Sequence, residues 1–220
     1  MTTDQSSNLM FQMNRERTTL IVVDMQNDFV RKGGALELPD ARNRILHVNR
    51  LIQGCRDLSI PVVFVRFISG PKRTLIWTWS PMIAPPVKCC WRNHRRYYPD
   101  IGKEVEVIEI IDEIIVNPED YVIDKYSYNS FYNTPLEDIL RAHGAEHIII
   151  CGAAMPVCIN DTVSGAFDRQ FKVAVAADAT ASFTEEFRRY SLSLFKAKYA
   201  RVLDTTEILS ELRNKAEQSV

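Results

Sequence analysis

No stretch of this 220-residue chain reaches 18 consecutive apolar residues, so no segment is long enough to cross a bilayer as a helix. The opening MTTDQSSNLMFQMNRERT has neither an apolar core nor a small-residue cleavage site, so no export signal is expected. No CxxC pair recurs as a zinc module requires, and five cysteines, two of them adjacent at Cys89 and Cys90, make no disulfide framework. Free thiols of odd number fit a reducing cytoplasm. An excess of either charge is also missing. With 27 basic and 28 acidic residues the formal net charge is -1, which gives no electrostatic footprint for a nucleic-acid partner or for a charged membrane surface. Repeats and low-complexity tracts are absent. Histidine is scarce and poorly placed to activate a nucleophile. His47 and His143 fall in helical patterns, His147 opens a strand and His94 sits in an irregular segment, which disfavours a Cys–His dyad.

What is present is a globular composition, 46% hydrophobic, long enough for one substantial core that removes roughly 70% of the unfolded chain's surface from water. Residues 1–17 read as a polar extension, ordered against a neighbouring subunit through Leu9, Met10 and Phe11 or partly mobile. Residues 18–220 read as one domain. Apolar, β-branched runs at 18–23, 60–67, 121–124, 147–151, 171–176 and 200–203 predict strands. Helical spacing marks 45–55, 158–170, 184–199 and 205–215. Thr134, Pro135 and Glu137 predict a capped helix start, with Gly144 ending that helix. Strands alternating with helices predict a three-layer α/β fold with a mostly parallel, six-stranded central sheet covered on both faces.

Residues 68–102 interrupt this rhythm. They hold all three tryptophans, five prolines, the adjacent cysteines and Arg92, Arg95 and Arg96, with no period of 2 or 3.6. Such an excursion after a strand serves as a pocket wall or as a subunit contact, and both roles can hold together.

The chain is organised around residues 146–182, EHIIICGAAMPVCINDTVSGAFDRQFKVAVAADATAS. A buried strand delivers a loop of small residues, and Cys158 follows where a helix begins. The unpaired N–H groups and positive end of a first helical turn favour a thiolate and can face the oxygen of an attacked carbonyl. Asp24, Lys125 and possible partner Asp178 also fall at or just past the carboxyl ends of strands, the edge where ligands bind in parallel sheets. A thiol, a carboxylate to carry its proton and a cation to hold that carboxylate ionised form a set able to open an amide by nucleophilic attack.

These residues sit in motifs that resemble the isochorismatase-like cysteine hydrolases, the superfamily of nicotinamidases, N-carbamoylsarcosine amidohydrolase and ureidoacrylate or biuret amidohydrolases. The similarity runs from Thr18 to about Leu212. It rests on LIVVDMQNDF at 20–29 with Asp24, DKYSYNSFYNTPL at 124–136 with Lys125, and CGAAMPVC at 151–158 with Cys158. The resemblance implies a catalytic set of Asp24, Lys125 and Cys158. It also implies a non-proline cis peptide, placed at Ala154–Met155, and an oxyanion hole from the Met155 and Cys158 amides. Where most relatives carry Thr and Asn, this chain has Met155 and Pro156. Nicotinamidases bind a metal through an Asp and histidines after the second strand. Here that stretch reads VRFISGPKRTL, so no metal and no other cofactor is expected. Isochorismatases proper often lack the cysteine, so its retention favours a cysteine amidohydrolase acting on a carbamoyl, ureido or amide compound. The alternatives are another small substrate of the same family or a silent binding or scaffold member. A homo-oligomer, dimer or tetramer, is expected. Candidates to hold the substrate are Asn27, Arg66, Lys72, Arg92 and the aromatics Trp77, Trp79, Tyr126, Phe131 and Tyr132, with Arg73 and Arg95 as further cations and Gln26 or Asn27 orienting Asp24.

Overall fold

The structure, a computed structural model, describes residues 11–73, 76–80, 83 and 85–214. After a 3-10 turn at Arg15–Arg17, the order is β1 (Thr18–Val23), α1 (Asn27–Val30), α2 (Pro39–Asp57), β2 (Val62–Phe67) and α3 (Ile76–Trp79). A hairpin, β3 (Arg95–Tyr98) and β4 (Lys103–Glu106), comes next. It is followed by β5 (Tyr121–Lys125), α4 (Leu136–Ala142), β6 (His147–Met155), α5 (Cys158–Asp168) and β7 (Lys172–Ser182). The chain ends with α6 (Glu185–Leu194), a π turn (Phe195–Tyr199), β8 (Ala200–Leu203) and α7 (Thr205–Asn214).

Six strands form one sheet in the order β5-β2-β1-β6-β7-β8, every neighbouring pair parallel. β1, with all six residues buried, lies inside the sheet as its unbroken apolar run requires. One face packs Leu20, Val22, Phe64, Ile149 and Cys151 under α2 and α7. The other packs Ile21, Val23, Val65, Ile148 and Ile150 under α4 and α5. The order reverses direction between β1 and β6, and in open parallel sheets the crevice at that point, at the carboxyl ends, is where ligands sit.

Several expectations shift. β6 and β7 run on to Met155 and Ser182, so Asp178 lies within a strand instead of at its tip. Its Oδ1 accepts from the Thr205 amide and hydroxyl, and its Oδ2 lies 2.9 Å from His47 Nδ1. Thr134 is not the N-cap of α4. Pro135 holds that position without a side-chain bond, Thr134 Oγ1 donates to the Ser130 carbonyl, and Glu137 pairs with Arg141 and Arg169. Part of the predicted extension is packed. Met13 is fully buried with its amide on Glu211, and Phe11 lies against His147 and Arg201 of its own chain, whereas Leu9 and Met10 fall outside the described residues. The irregular segment contains β3, which pairs antiparallel with β4 just beyond it, a hairpin invisible to pattern reading because RRYY and KEVE carry no apolar alternation.

Gly152 is the tightest point between the two strands flanking the crevice. Its φ is +110°, and a Cβ there stands 2.1 Å from the Val23 carbonyl oxygen. The backbone conformation alone costs a larger residue about 1–3 kcal/mol. Gly152→Ala is therefore expected to lower the unfolding free energy by more than about 2 kcal/mol in urea titration. An unchanged midpoint contradicts the close approach of β1 and β6.

Candidate active site

Asp24 follows β1 directly, with φ of 51° and its amide donated to the Val65 carbonyl at 2.9 Å. That turn aims the carboxylate under the crevice, 1% exposed. Lys125, the last residue of β5, is completely enclosed, and its Nζ reaches to 2.9 Å from Asp24 Oδ2. The ammonium donates to the carbonyls of Tyr128 at 3.0 Å and Ser127 at 3.2 Å and lies 4.9 Å from the Phe67 ring centre. Those two carbonyls accept from the ammonium and the Asp24 carboxylate beside it supplies the opposing charge, both of which favour a charged lysine in an enclosed site. Cys158 opens α5 at 5% exposure, and its thiol interacts with both Asp24 and Lys125. Residues 24, 125 and 158 thus meet at the switch point of the sheet.

The electrostatics follow from enclosure. Burial raises the Asp24 carboxyl above its ordinary value, against the pull of Lys125 and of the Cys158 hydrogen bond. Burial acts to lower Lys125, but the attraction of Asp24 prevails and its affinity for the proton rises. The 2.9 Å approach of Nζ to Oδ2 sets the two groups as an ion pair, ammonium facing carboxylate. The Cys158 thiol is driven up by burial, and Lys125 only partly opposes this. Loss of water thus opposes the thiolate that a helix start was expected to favour, and the sulfur lies beside a carboxylate able to accept its proton.

The loop before Cys158 also differs from expectation. The non-proline cis bond is Ala153–Ala154, one step before the predicted Ala154–Met155, and Met155–Pro156 is cis as well. Nothing in a run of small residues marks which bond is cis, so only the resemblance located it, and it did so one residue late. The amide at the cis unit is consequently that of Ala154, while the Met155 side chain packs into the core with Ile159 and Val163.

The predicted substrate residues divide. Asn27 is structural: its Nδ2 donates to the Glu106 carbonyl at 2.8 Å and its Oδ1 accepts from Arg31. Gln26 is likewise spent on Phe67 and Ile108 backbone, so neither orients Asp24. Arg66 pairs with Asp124 and Glu109, both at 2.9 Å, and Arg92 pairs with Asp124 as well. Arg95 lies against Glu104 and Glu106 in the hairpin. Phe131 is core, stacked on Phe171 at 6.1 Å. Tyr132 and Trp79 are exposed, as is Lys72, and the Trp77 side chain falls outside the described residues. Tyr126, next to Lys125, does gather cations: its hydroxyl accepts from Arg73 at 2.5 Å and Arg92 at 2.9 Å. Sequence reading missed Phe67, whose ring lies over the ammonium, Tyr128, whose ring is 5.6 Å from that of Phe67, and Ser80, which hydrogen-bonds Tyr128. The aromatic-rich YSYNSFYN was the signal for Tyr128, and Ser80 had none.

A parallel doubly wound sheet with a cysteine, a carboxylate and an ammonium converging at its switch point defines a hydrolase-like α/β site. The chain belongs to the isochorismatase family: the Isochorismatase domain model matches residues 18–207. It is 28% identical over 185 residues, 80% of this chain and 75% of the other, to ureidoacrylate amidohydrolase RutB of Pseudomonas syringae pv. syringae (strain B728a). Among solved structures it resembles a cysteine hydrolase from Pseudomonas syringae pv. phaseolicola 1448A, with TM-score 0.81, 25% identity, and 93% and 96% of the two chains covered. N-carbamoylsarcosine amidase from Thermoplasma acidophilum gives TM-score 0.67, 29% identity and coverage of 86% and 96%. The pyrazinamidase of Pyrococcus horikoshii, solved with zinc, gives TM-score 0.68, 25% identity and coverage of 86% and 99%. Residues 68–73 after β2, ISGPKR, offer neither histidine nor carboxylate, so they do not supply a metal set there. Among the described residues no helix is long and apolar enough to cross a membrane.

Lys125→Met keeps the volume of the side chain but leaves Asp24 buried without its counter-charge. Unfolding in urea is expected to show a loss of about 3–5 kcal/mol, and the double variant Asp24→Asn, Lys125→Met is expected to recover much of it. Parental stability in the single variant contradicts a buried charge pair at this site.

Proposed function

We propose that this protein is a cysteine amidohydrolase that cleaves a C–N bond of a small carbamoyl, ureido or amide compound and releases ammonia or an amine. The observation that carries this reading is the enclosed Lys125–Asp24 pair at 2.9 Å with the Cys158 thiol against it. Asp24 takes the thiol proton as sulfur adds to the carbonyl carbon, so no free thiolate need be stored at rest. Negative charge collects on the carbonyl oxygen, and the amides of Ala154 and Cys158 are the donors we assign to it, the former replacing Met155 because the cis unit lies one residue earlier. The C–N bond breaks as Asp24 returns the proton to the leaving nitrogen. Water, deprotonated by the same carboxylate, then attacks the thioester or thiocarbamate and frees the sulfur. Lys125 stays protonated throughout and holds Asp24 in its basic form.

Ureido or carbamoyl compounds with a carboxylate are the favoured class. Ureidoacrylate amidohydrolase and N-carbamoylsarcosine amidase are among the similar proteins. Arg73 lies 4.8 Å above the Tyr126 ring with no carboxylate partner among the described residues, which leaves a cation beside the residue after Lys125.

Ammonia release measured over a panel of ureido, carbamoyl and simple amide compounds is expected to find turnover concentrated in the first two. Cys158→Ser is expected to cut kcat/KM by about 10³-fold or more. A folded protein inactive across the panel contradicts the amidohydrolase reading and favours a binding role.

The pH profile has a defined sign. The base must be ionised, so kcat/KM rises with pH through the Asp24 titration, and its acid limb is expected above the ordinary 3.8 because burial raises that carboxyl. Lys125 lowers the same pKa, so residual activity in Lys125→Met is expected to show the limb at still higher pH. A limb that does not move removes Lys125 from that role.

A further inference from the structure

Cys89 and Cys90 take no part in the chemistry above, yet both are fully buried, with their sulfurs 3.7 Å apart. The loop presenting them is held from two sides. Ser69, just past β2, donates its hydroxyl to the Cys89 carbonyl and its amide to the Cys90 carbonyl at 3.1 Å. Cys90, at φ of 48°, sends its amide to Asp28 Oδ2 at 2.9 Å. Asp28, in α1, is fully enclosed. Its Oδ1 accepts from Arg96 at 2.9 Å, Tyr98 at 2.7 Å and the Ala35 amide at 3.4 Å. Oδ2 takes only the Cys90 amide among the described residues, which leaves it a lone pair. One ligand atom from each of Asp28, Cys89 and Cys90 lies within 4.8 Å of the others.

We infer that Cys89, Cys90 and Asp28 form a binding site for a thiophilic divalent cation, Zn²⁺ being the fitting one, separate from the hydrolytic centre. Two sulfurs bound at about 2.3 Å to one tetrahedral ion stand ~3.8 Å apart, close to the spacing already built into the loop. Charge also balances. Without an ion the cluster holds two neutral thiols, one carboxylate and the Arg96 guanidinium, a sum of zero. When a divalent ion enters and two thiol protons leave to solvent, two thiolates and the carboxylate face the ion and the guanidinium, again a sum of zero. Thiolate ligands select zinc over magnesium or calcium, and the site carries none of the histidines used by the nicotinamidase set. A bound ion ties α1 to the loop 87–92.

The test uses the full chain, reduced and stripped with a chelator, in wild-type form and as Cys55→Ala, Cys151→Ala, Cys158→Ser, which keeps only the adjacent pair. Co²⁺ titration is expected to give one equivalent of a sulfur-to-cobalt charge-transfer band in both proteins, displaced by Zn²⁺. Because two protons leave per ion, affinity is expected to fall about a hundredfold per unit drop in pH. Further Cys89→Ser or Cys90→Ser substitution is expected to abolish the band. Absence of the band in wild type, its loss in the triple variant or its survival in the Cys89→Ser and Cys90→Ser variants overturns the site.

Discussion

The contact on which the rest depends is the ion pair between Lys125 and Asp24, made where neither residue meets water. A buried charge pair is sustained by mutual attraction and by partners for its remaining polar directions, and the carbonyls of Ser127 and Tyr128 take two of those of the ammonium. This fixes the chain just past β5, turns residues 126–128 over the crevice and keeps a carboxylate charged next to a sulfur. The same enclosure raises that thiol against the pull of Lys125. In the proposed reaction activation accordingly accompanies attack, and the pair receives the proton at that step.

Sheet topology brings these groups together from distant sequence. β1 and β6 are neighbours at the point where strand order turns around, so the residue after β1 and the helix after β6 lie at the same edge of the sheet. β5 lies two strands away from β1, and the length of a lysine side chain spans β2 to reach the carboxylate. A shorter cation at 125 could not close that gap. Gly152, pressed against the backbone of Val23, lets β1 and β6 stay in register up to the site, while the register shift falls between β6 and β7.

Much of the fold was legible because periodicity reports burial. Thr18–Val23 and Ala200–Leu203 are apolar or β-branched enough to be placed at their observed bounds, and Cys158 is found at the helix start that its spacing implied. The catalytic candidates were legible for a related reason, since strand ends in a parallel sheet share an edge. Three things were hidden. The β3–β4 hairpin carries RRYY and KEVE without apolar alternation, and β3 is anchored through Arg96 and Tyr98 on Asp28, contacts 68 and 70 residues away in sequence. The roles of Asn27, Arg66 and Phe131 depend on which carbonyl, carboxylate or ring lies across from them, and spacing along one chain cannot supply that. Burial raises the Cys158 thiol against the pull of Lys125, and how far a residue loses water is not written in its spacing.

The central claim is that Cys158 attacks and carries the acyl or carbamoyl group. Quenching the protein during turnover of a ureido compound and mapping the adduct by mass spectrometry tests it most directly. The account predicts a substrate-derived mass on Cys158, absent when that residue is alkylated beforehand, with ammonia release lost in parallel. Adducts on another side chain, or ammonia released at the parental rate by the alkylated protein, would contradict it.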